Sequence, residues 1–290
     1  MAASEWEPLD YEAELRGAVD AASGSLTVPE VWEGFPGRAF GGFLAAAVLV
    51  AASEQSEKAR PLSLSSRYYR PAPVGQALTL ALAEERRGRS VDTLTARLSD
   101  GDSLLSTFSL AFGREGDAPF NAQAVPAVAP LVLHRPVWQH LAEIGIEAGA
   151  LTRRLGYRAE TGELPAEELA AGWHARSQWP AAACDDPAVH AAVAAMAIDA
   201  FVGPATMRAN ERDLDGEWPV TMPSLDLNYW FYAPEEQGGC EWLTVRTSVP
   251  VSRAGYAVGR TQVWAGDHLT AEGMSQVALM PVPPSDAGSV

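Results

Sequence analysis

Asp226 is a carboxylate with no counterpart in a stretch that is otherwise repeated. Leu62 to Pro71 aligns without a gap with Leu225 to Pro234, 163 positions later. The copies share Leu62/Leu225, Leu64/Leu227, Tyr69/Tyr232 and Pro71/Pro234, but Ser63 stands where the second copy carries Asp226. An acid kept by only one copy is what a duplicated scaffold with a single working centre retains, and a positioned carboxylate can take a proton from water. Leu225 and Leu227 should project to the opposite sheet face. A mostly apolar pocket would raise the acid's pKa while leaving it largely ionised near neutrality. The second chemical feature is Gly41-Gly42, which opens a predicted helix. Its first amides lack intrahelical acceptors and carry no side chains, so a substrate oxygen that gains charge could be received there. The same pair would equally let the helix sit close to a neighbouring element.

Those residues need elements to hold them. Ala39 to Ala52 is apolar and alanine-rich, as a buried helix would be, and at 14 residues it is shorter than the roughly 20 that a membrane span requires. Strands are predicted over 62–70, 77–85, 91–99 and 103–112, with an Asp100-Gly101 turn. The order then recurs. Asp186-Pro187 starts a second alanine-rich helix, Gly203-Pro204 ends it, and strands follow over about 220–232, 241–252, 256–265 and 268–280. Each half is thus a long apolar helix with a curved antiparallel sheet around it. The organisation expected is an N-terminal segment 1–24, a first unit 25–115, a linker 116–150 with a short helix near Val137 to Ile144, a second unit 151–283 and a disordered tail 284–290. Two independent domains on a Pro-rich tether would leave long sheet edges bare, so joined sheets are favoured.

The formal charge of −16, with 21 Lys and Arg against 37 Asp and Glu, opposes binding to nucleic acid or insertion at an anionic membrane. Cys184 and Cys240 form no spacing motif and, with an acidic N-terminus lacking an apolar run, point to a reduced, cytoplasmic protein. His134, His140, His174, His190 and His268 are scattered without ligand spacing. Gly-x-Ser-x-Gly, His-Glu-x-x-His, Cys-x-x-Cys and P-loop motifs are absent, so no metal or cofactor is expected.

Phe40-Gly41-Gly42, Tyr68-Tyr69-Arg70-Pro71, Leu225-Asp226 through Trp230-Phe231 to Pro234, Glu241-Trp242-Leu243, Gly255-Tyr256 and Gln276 resemble, in order and spacing, the double-hotdog acyl-CoA thioesterases of the thioesterase II (TesB-like) type. The resemblance covers about residues 25–280. It implies an α+β double hotdog, two fused units with joined sheets and the active site at their junction. It also implies an Asp, a Ser or Thr hydroxyl and a Gln that activate water against a thioester. Position by position these fall on Asp226, Ser248 and Gln276, with Thr247 as the alternative hydroxyl, because a one-residue shift of a strand interrupted by Pro250 would exchange the two. Asp199 matches a helical Asp of the family but is read as an N–H acceptor or a supporting residue rather than as part of the direct chemistry, and it is left out of the catalytic set. Tyr68, Tyr69, Tyr229, Trp230 and Phe231 are core or the lining of an acyl tunnel. Arg86, Arg87 and Arg89 are a hairpin end or a grip for CoA phosphates. The implied function is hydrolysis of acyl-CoA, or acyl carrier protein thioesters, in lipid metabolism by a homodimer or tetramer. A non-catalytic acyl-thioester binding protein and a hotdog dehydratase or hydratase are the alternatives.

Overall fold

Alanine, leucine and valine fill the run Gly41–Ser53, which contains no charge and is buried from Gly42 to Ala52. A helix apolar all round is stable only when wrapped on every side. Its counterpart Pro187–Ala200 is buried from Ala188 to Asp199 and begins where the Asp186 carboxylate accepts from the Ala188 N–H at 2.8 Å. The computed structural model describes residues 9–114, 135–143, 145, 147–160, 164–211, 220–232 and 240–281. We number the helices α1 (Tyr11–Gly17), α2 (Gly41–Ser53), α3 (Pro187–Ala200) and α4 (Val202–Ala209).

Twelve strands form one antiparallel sheet around α2 and α3. They are β1 (Val19–Asp20), β2 (Ser25–Thr27), β3 (Arg60–Tyr68), β4 (Ala77–Arg87), β5 (Val91–Asp100), β6 (Ser103–Gly113), β7 (Arg158–Ala159), β8 (Ala175–Pro180), β9 (Ser224–Phe231), β10 (Trp242–Arg253), β11 (Tyr256–Ala265) and β12 (His268–Ala278). The spatial order is β1-β2-β4-β5-β6-β3-β9-β12-β11-β10-β8-β7. Read from either end, this order gives the same plan, so the halves are related by a two-fold axis between β3 and β9. The register agrees with the sequence repeat. Ser65 pairs with Asn228, Ser63 with Trp230 and Arg67 with Asp226, so each pair maps onto itself or onto another pair when 163 is added to one partner and subtracted from the other. Even the irregularities repeat. A bulge separates Pro61 from Ser63 on β3, and another separates Ser224 from Asp226 on β9.

The four long strands of each half follow the predicted segments closely. The short strands β1, β2, β7 and β8 do not, because runs of two to six residues show no periodicity to detect. The two-residue strands β1 and β7 form the edges, which limits the unpaired backbone presented there. A helix over Val137–Glu143 stands where one was expected, whereas Ile144, most of the linker, Pro234 and the 284–290 tail lie outside the described residues. α3 ends at Ala200, within a residue of the expected stop after Phe201, but Gly203-Pro204 lies inside a further helix. The chain breaks at Phe201 and restarts as α4 with Pro204 in its first turn, where the missing N–H costs nothing. Together α3 and α4 are long and apolar enough to cross a membrane, but 83% of the apolar window is buried within the fold. Pro250 falls at a bulge between Ser248 and Val251, beyond the last β8 partner at Thr247, so no sheet neighbour needs its absent N–H.

α2 and α3 run antiparallel in close contact. A Cβ at Gly42 would lie 3.0 Å from the Met196 Cα and 2.6 Å from the Phe40 ring, so the glycine sets the interhelical distance. At the far ends Arg16 of α1 bridges Glu54, just past α2, and Asp186 at the start of α3, and also holds Glu12. Gly42→Ala should therefore lower stability by about 2 kcal/mol, the scale of overpacking a close-packed core, despite alanine's better helix propensity. Chemical denaturation checks this.

Candidate active site

The face of each strand is fixed by what it buries. On β9, Leu227, Tyr229 and Phe231 are buried against the helices, so Asp226, Asn228 and Trp230 point to the outer face. The Asp226 carboxylate accepts from Arg67 Nη2 at 3.1 Å and from Asn228 Nδ2 at 3.4 Å. It lines an open groove of about 510 Å³ with Ser65, Arg67, Thr95 and Arg97. Gln276 is its direct cross-strand partner on β12, so these two predicted residues are brought together, on the outer face. Ser248 faces the same side, opposite Arg260, but β10 lies three strands from β9, roughly 14 Å away at the usual interstrand spacing. Thr247 points inward, fully buried, and shares a 2.9 Å hydrogen bond with Thr261. Thr261 in turn donates to the Ile198 carbonyl.

A different carboxylate occupies the junction of the two units. Asp199, in the last turn of α3, is only 8% exposed. Its Oδ1 accepts from the Ser224 hydroxyl at 2.8 Å, and it also accepts from the Gly42 N–H. Its Oδ2 lies 3.1 Å from where a Gly41 Cβ would stand, so any side chain there would press on the acid. The bulge at Leu225 brings Ser224 into this site. It opposes Val277, a buried inward residue, whereas strict alternation from Asp226 would turn it outward. The Tyr68 hydroxyl closes one side, donating to the Gly41 carbonyl at 2.8 Å.

Burial drives the Asp199 pKa up to about 6, opposed by the Ser224 and Gly42 hydrogen bonds. At neutral pH it is mostly ionised yet far more basic than an exposed aspartate, as a general base should be. Burial and the nearby Asp199 charge push Tyr68 well above the usual tyrosine range. The arrangement can deprotonate a water held beside Ser224. The glycine pair thus does two things at once: Gly42 fixes the helix contact and commits its amide to Asp199, while the Gly41 N–H, first in the helix, has no intrahelical acceptor. No group of three or more His, Cys, Asp or Glu suited to a metal occurs among the described residues. Arg87 pairs with Glu84 and Glu57 at the hairpin end. Asp199 was visible in sequence as the one acid inside an alanine-rich buried helix; Ser224 carried no comparable signal.

The family models for the N-terminal and C-terminal domains of acyl-CoA thioesterases match residues 28–113 and 125–280. Among curated proteins, none matches the sequence. Similar solved structures include a hot dog fold protein from Alicyclobacillus acidocaldarius (TM-score 0.71, 19% identity, 96% of this chain and 100% of that one). Another is the acyl-CoA thioesterase II TesB2 of Mycobacterium marinum (TM-score 0.69, 17% identity, 96% and 100%). A third is the tesB protein of Mycobacterium avium subspecies paratuberculosis (TM-score 0.67, 18% identity, 94% and 99%). At such identities these likenesses speak to the double-hotdog fold alone.

The raised pKa carries a stability consequence. Between the ordinary value of 3.8 and about 6 the folded state binds the proton more tightly, so stability falls as pH rises through this window and is level above it. At about 1.4 kcal/mol per pKa unit the full effect is at most about 3 kcal/mol. Asp199→Asn should therefore gain stability relative to the parent as pH increases from 4 to 7, with no further gain above. Denaturation midpoints across that range check it.

Proposed function

Because the chain belongs to the acyl-CoA thioesterase family and is a thioester hydrolase, we propose that Asp199 is the base that activates the hydrolytic water and Ser224 its positioning partner. The observation that carries this is the buried Asp199–Ser224–Gly42 hydrogen-bond set at the helix junction. Water attacks the thioester carbonyl carbon as its proton passes to Asp199. The tetrahedral oxyanion forms beside the Gly41 amide, and collapse breaks the C–S bond. The proton then passes to the departing thiolate, giving free CoA and the carboxylic acid. No acyl-enzyme is required, since a thioester is already activated.

Asp226 with Gln276 is the second reading, favoured only by their direct pairing beside the outer groove. That carboxylate is half-buried at the groove and tied to Arg67, whose own side chain is 62% exposed, and it touches neither helix terminus. A dehydratase would place a histidine opposite the acid. His190 lies nine residues before Asp199 on the same helix, roughly 13 Å along its axis, and His174 accepts from the Val249 N–H at the β10 bulge. CoA rather than acyl carrier protein is the carrier we favour, because it is the substrate of the matched family. The exposed Trp230 and Met274 on the outer face of β9 and β12 support a homo-oligomer formed through that face. The free cysteines Cys184 and Cys240 fit a cytoplasmic setting.

With acyl-CoA and a thiol reagent, Asp199→Asn should lose at least 10³-fold in kcat, while Asp226→Asn keeps at least half. The reverse pattern would move the chemistry to the outer groove. The parent's rate should rise with pH to a plateau above about 6, the value to which Asp199 is raised. Ser224→Ala removes a hydrogen bond that lowers that pKa, so its acid limb should move to higher pH, as pH–rate profiles would show.

A further inference from the structure

The donors around Asp199 are nearly all committed. Ser224 and the Gly42 amide serve its carboxylate, Tyr68 serves the Gly41 carbonyl, and the Ser66 hydroxyl donates to the Leu227 carbonyl at 3.4 Å. Tyr229 differs. It is 1% exposed and, among the described residues, its hydroxyl has no hydrogen-bond partner. It nevertheless interacts electrostatically with both Asp199 and Tyr68. Its ring is seated firmly: it stacks on Phe231 at 6.3 Å and passes over Gly273, where an added Cβ would lie 3.0 Å from Tyr229 Cδ1 and 2.8 Å from Ile198. Phenylalanine would pack there equally well without the roughly 1–3 kcal/mol cost of burying an unpaired hydroxyl. The repeat adds an internal comparison, since the position equivalent to Tyr229 is Ser66, whose hydroxyl is satisfied within the fold. One copy therefore spends its hydroxyl on the scaffold, and the other leaves it unpaired beside the proposed base.

Resting on the assignment of Asp199 as base, we infer that Tyr229 is a catalytic residue that donates its O–H to the thioester carbonyl oxygen and stabilises the oxyanion together with the Gly41 amide. The proton stays on the tyrosine throughout. As water adds to the carbonyl carbon the C=O π pair moves onto oxygen, and the hydrogen bond from Tyr229 shortens. When the C–S bond breaks that pair returns to re-form the carbonyl, and the hydrogen bond relaxes. Burial that pushes the Tyr229 pKa far up keeps the group a donor at every working pH.

Tyr229→Phe tests this directly. The expected result is a fall in kcat of about 10²-fold, the usual loss for one oxyanion donor, with KM within about threefold of the parent. The acid limb near pH 6 should be retained and thermal stability equal or higher, because an unpaired hydroxyl has gone. A kcat within threefold of the parent would overturn the assignment. So would a loss of activity accompanied by lower stability, which would make the residue a packing element. Asp199→Asn separates this from the wider reading: an inactive Asp199 variant beside a fully active Tyr229→Phe removes only the tyrosine, whereas an active Asp199 variant removes the premise.

Discussion

The site depends on one contact, the arrival of the C-terminal turn of α3 at the bare N-terminus of α2. Two buried helices meet here with no side chain between them, since Gly42 rests against the Met196 backbone. That closeness places the Asp199 carboxylate on the Gly42 amide. The electrostatics are mixed. The carboxylate gains from the positive end of α2, loses from the negative end of its own helix, and is desolvated by both. Desolvation wins, which is why the acid is more basic than an ordinary aspartate. A wider helix separation would admit water and return Asp199 toward an ordinary aspartate.

A duplicated fold has two such junctions, and the second is closed by chemistry as well as by packing. At the opposite ends of the helices α3 begins with Pro187, which has no N–H to offer, and Asp186 satisfies the next free amide itself. Glu54 stands just past the end of α2, and Arg16 binds both acids while Tyr11 and Leu15 of α1 are buried beside them. On β3 the bulge that presents Ser224 in the second copy is kept, but Pro61 occupies the corresponding position. The geometry of a site survived duplication where its donors did not. Symmetry thus built the scaffold, and a few differences at the helix ends distinguish the two junctions.

Much of this was legible from residues alone. The gapless repeat made two matching halves legible, but a 163-residue offset fits a two-fold axis through any matched pair, and only the structure places it at Ser65 and Asn228. The long strands and both helices follow from alternation and composition. The outward direction of Asp226 was also implicit, since Leu225 and Leu227 were expected on the opposite face and apolar side chains claim the core. Treating the unmatched acid as the base overrode that alternation. What no pattern revealed was the bulge at Leu225. A single extra residue shifts the period by one, and only the pairing of Ser224 with Val277 shows that the serine turns inward.

The same bulge explains why the two faces of the central strands divide their labour. Beyond it, β9 gives its even-numbered residues to the outer face, where Asp226, Asn228 and Trp230 meet solvent, and its odd-numbered ones to the helices. Before it, Ser224 crosses to the inner side. One strand can therefore supply an inward hydroxyl beside the base and still keep leucine, tyrosine and phenylalanine packed on the helices. Without the bulge, moving Ser224 inward would require a one-residue slip that turned Leu227, Tyr229 and Phe231 outward, exposing side chains worth roughly 1.5–3 kcal/mol each when buried. That penalty far exceeds anything a single serine–aspartate hydrogen bond could return. A local bulge, paired symmetrically with the one at Leu62, is thus the low-cost way for this sheet to aim a polar group at its core without surrendering the register that holds the halves together.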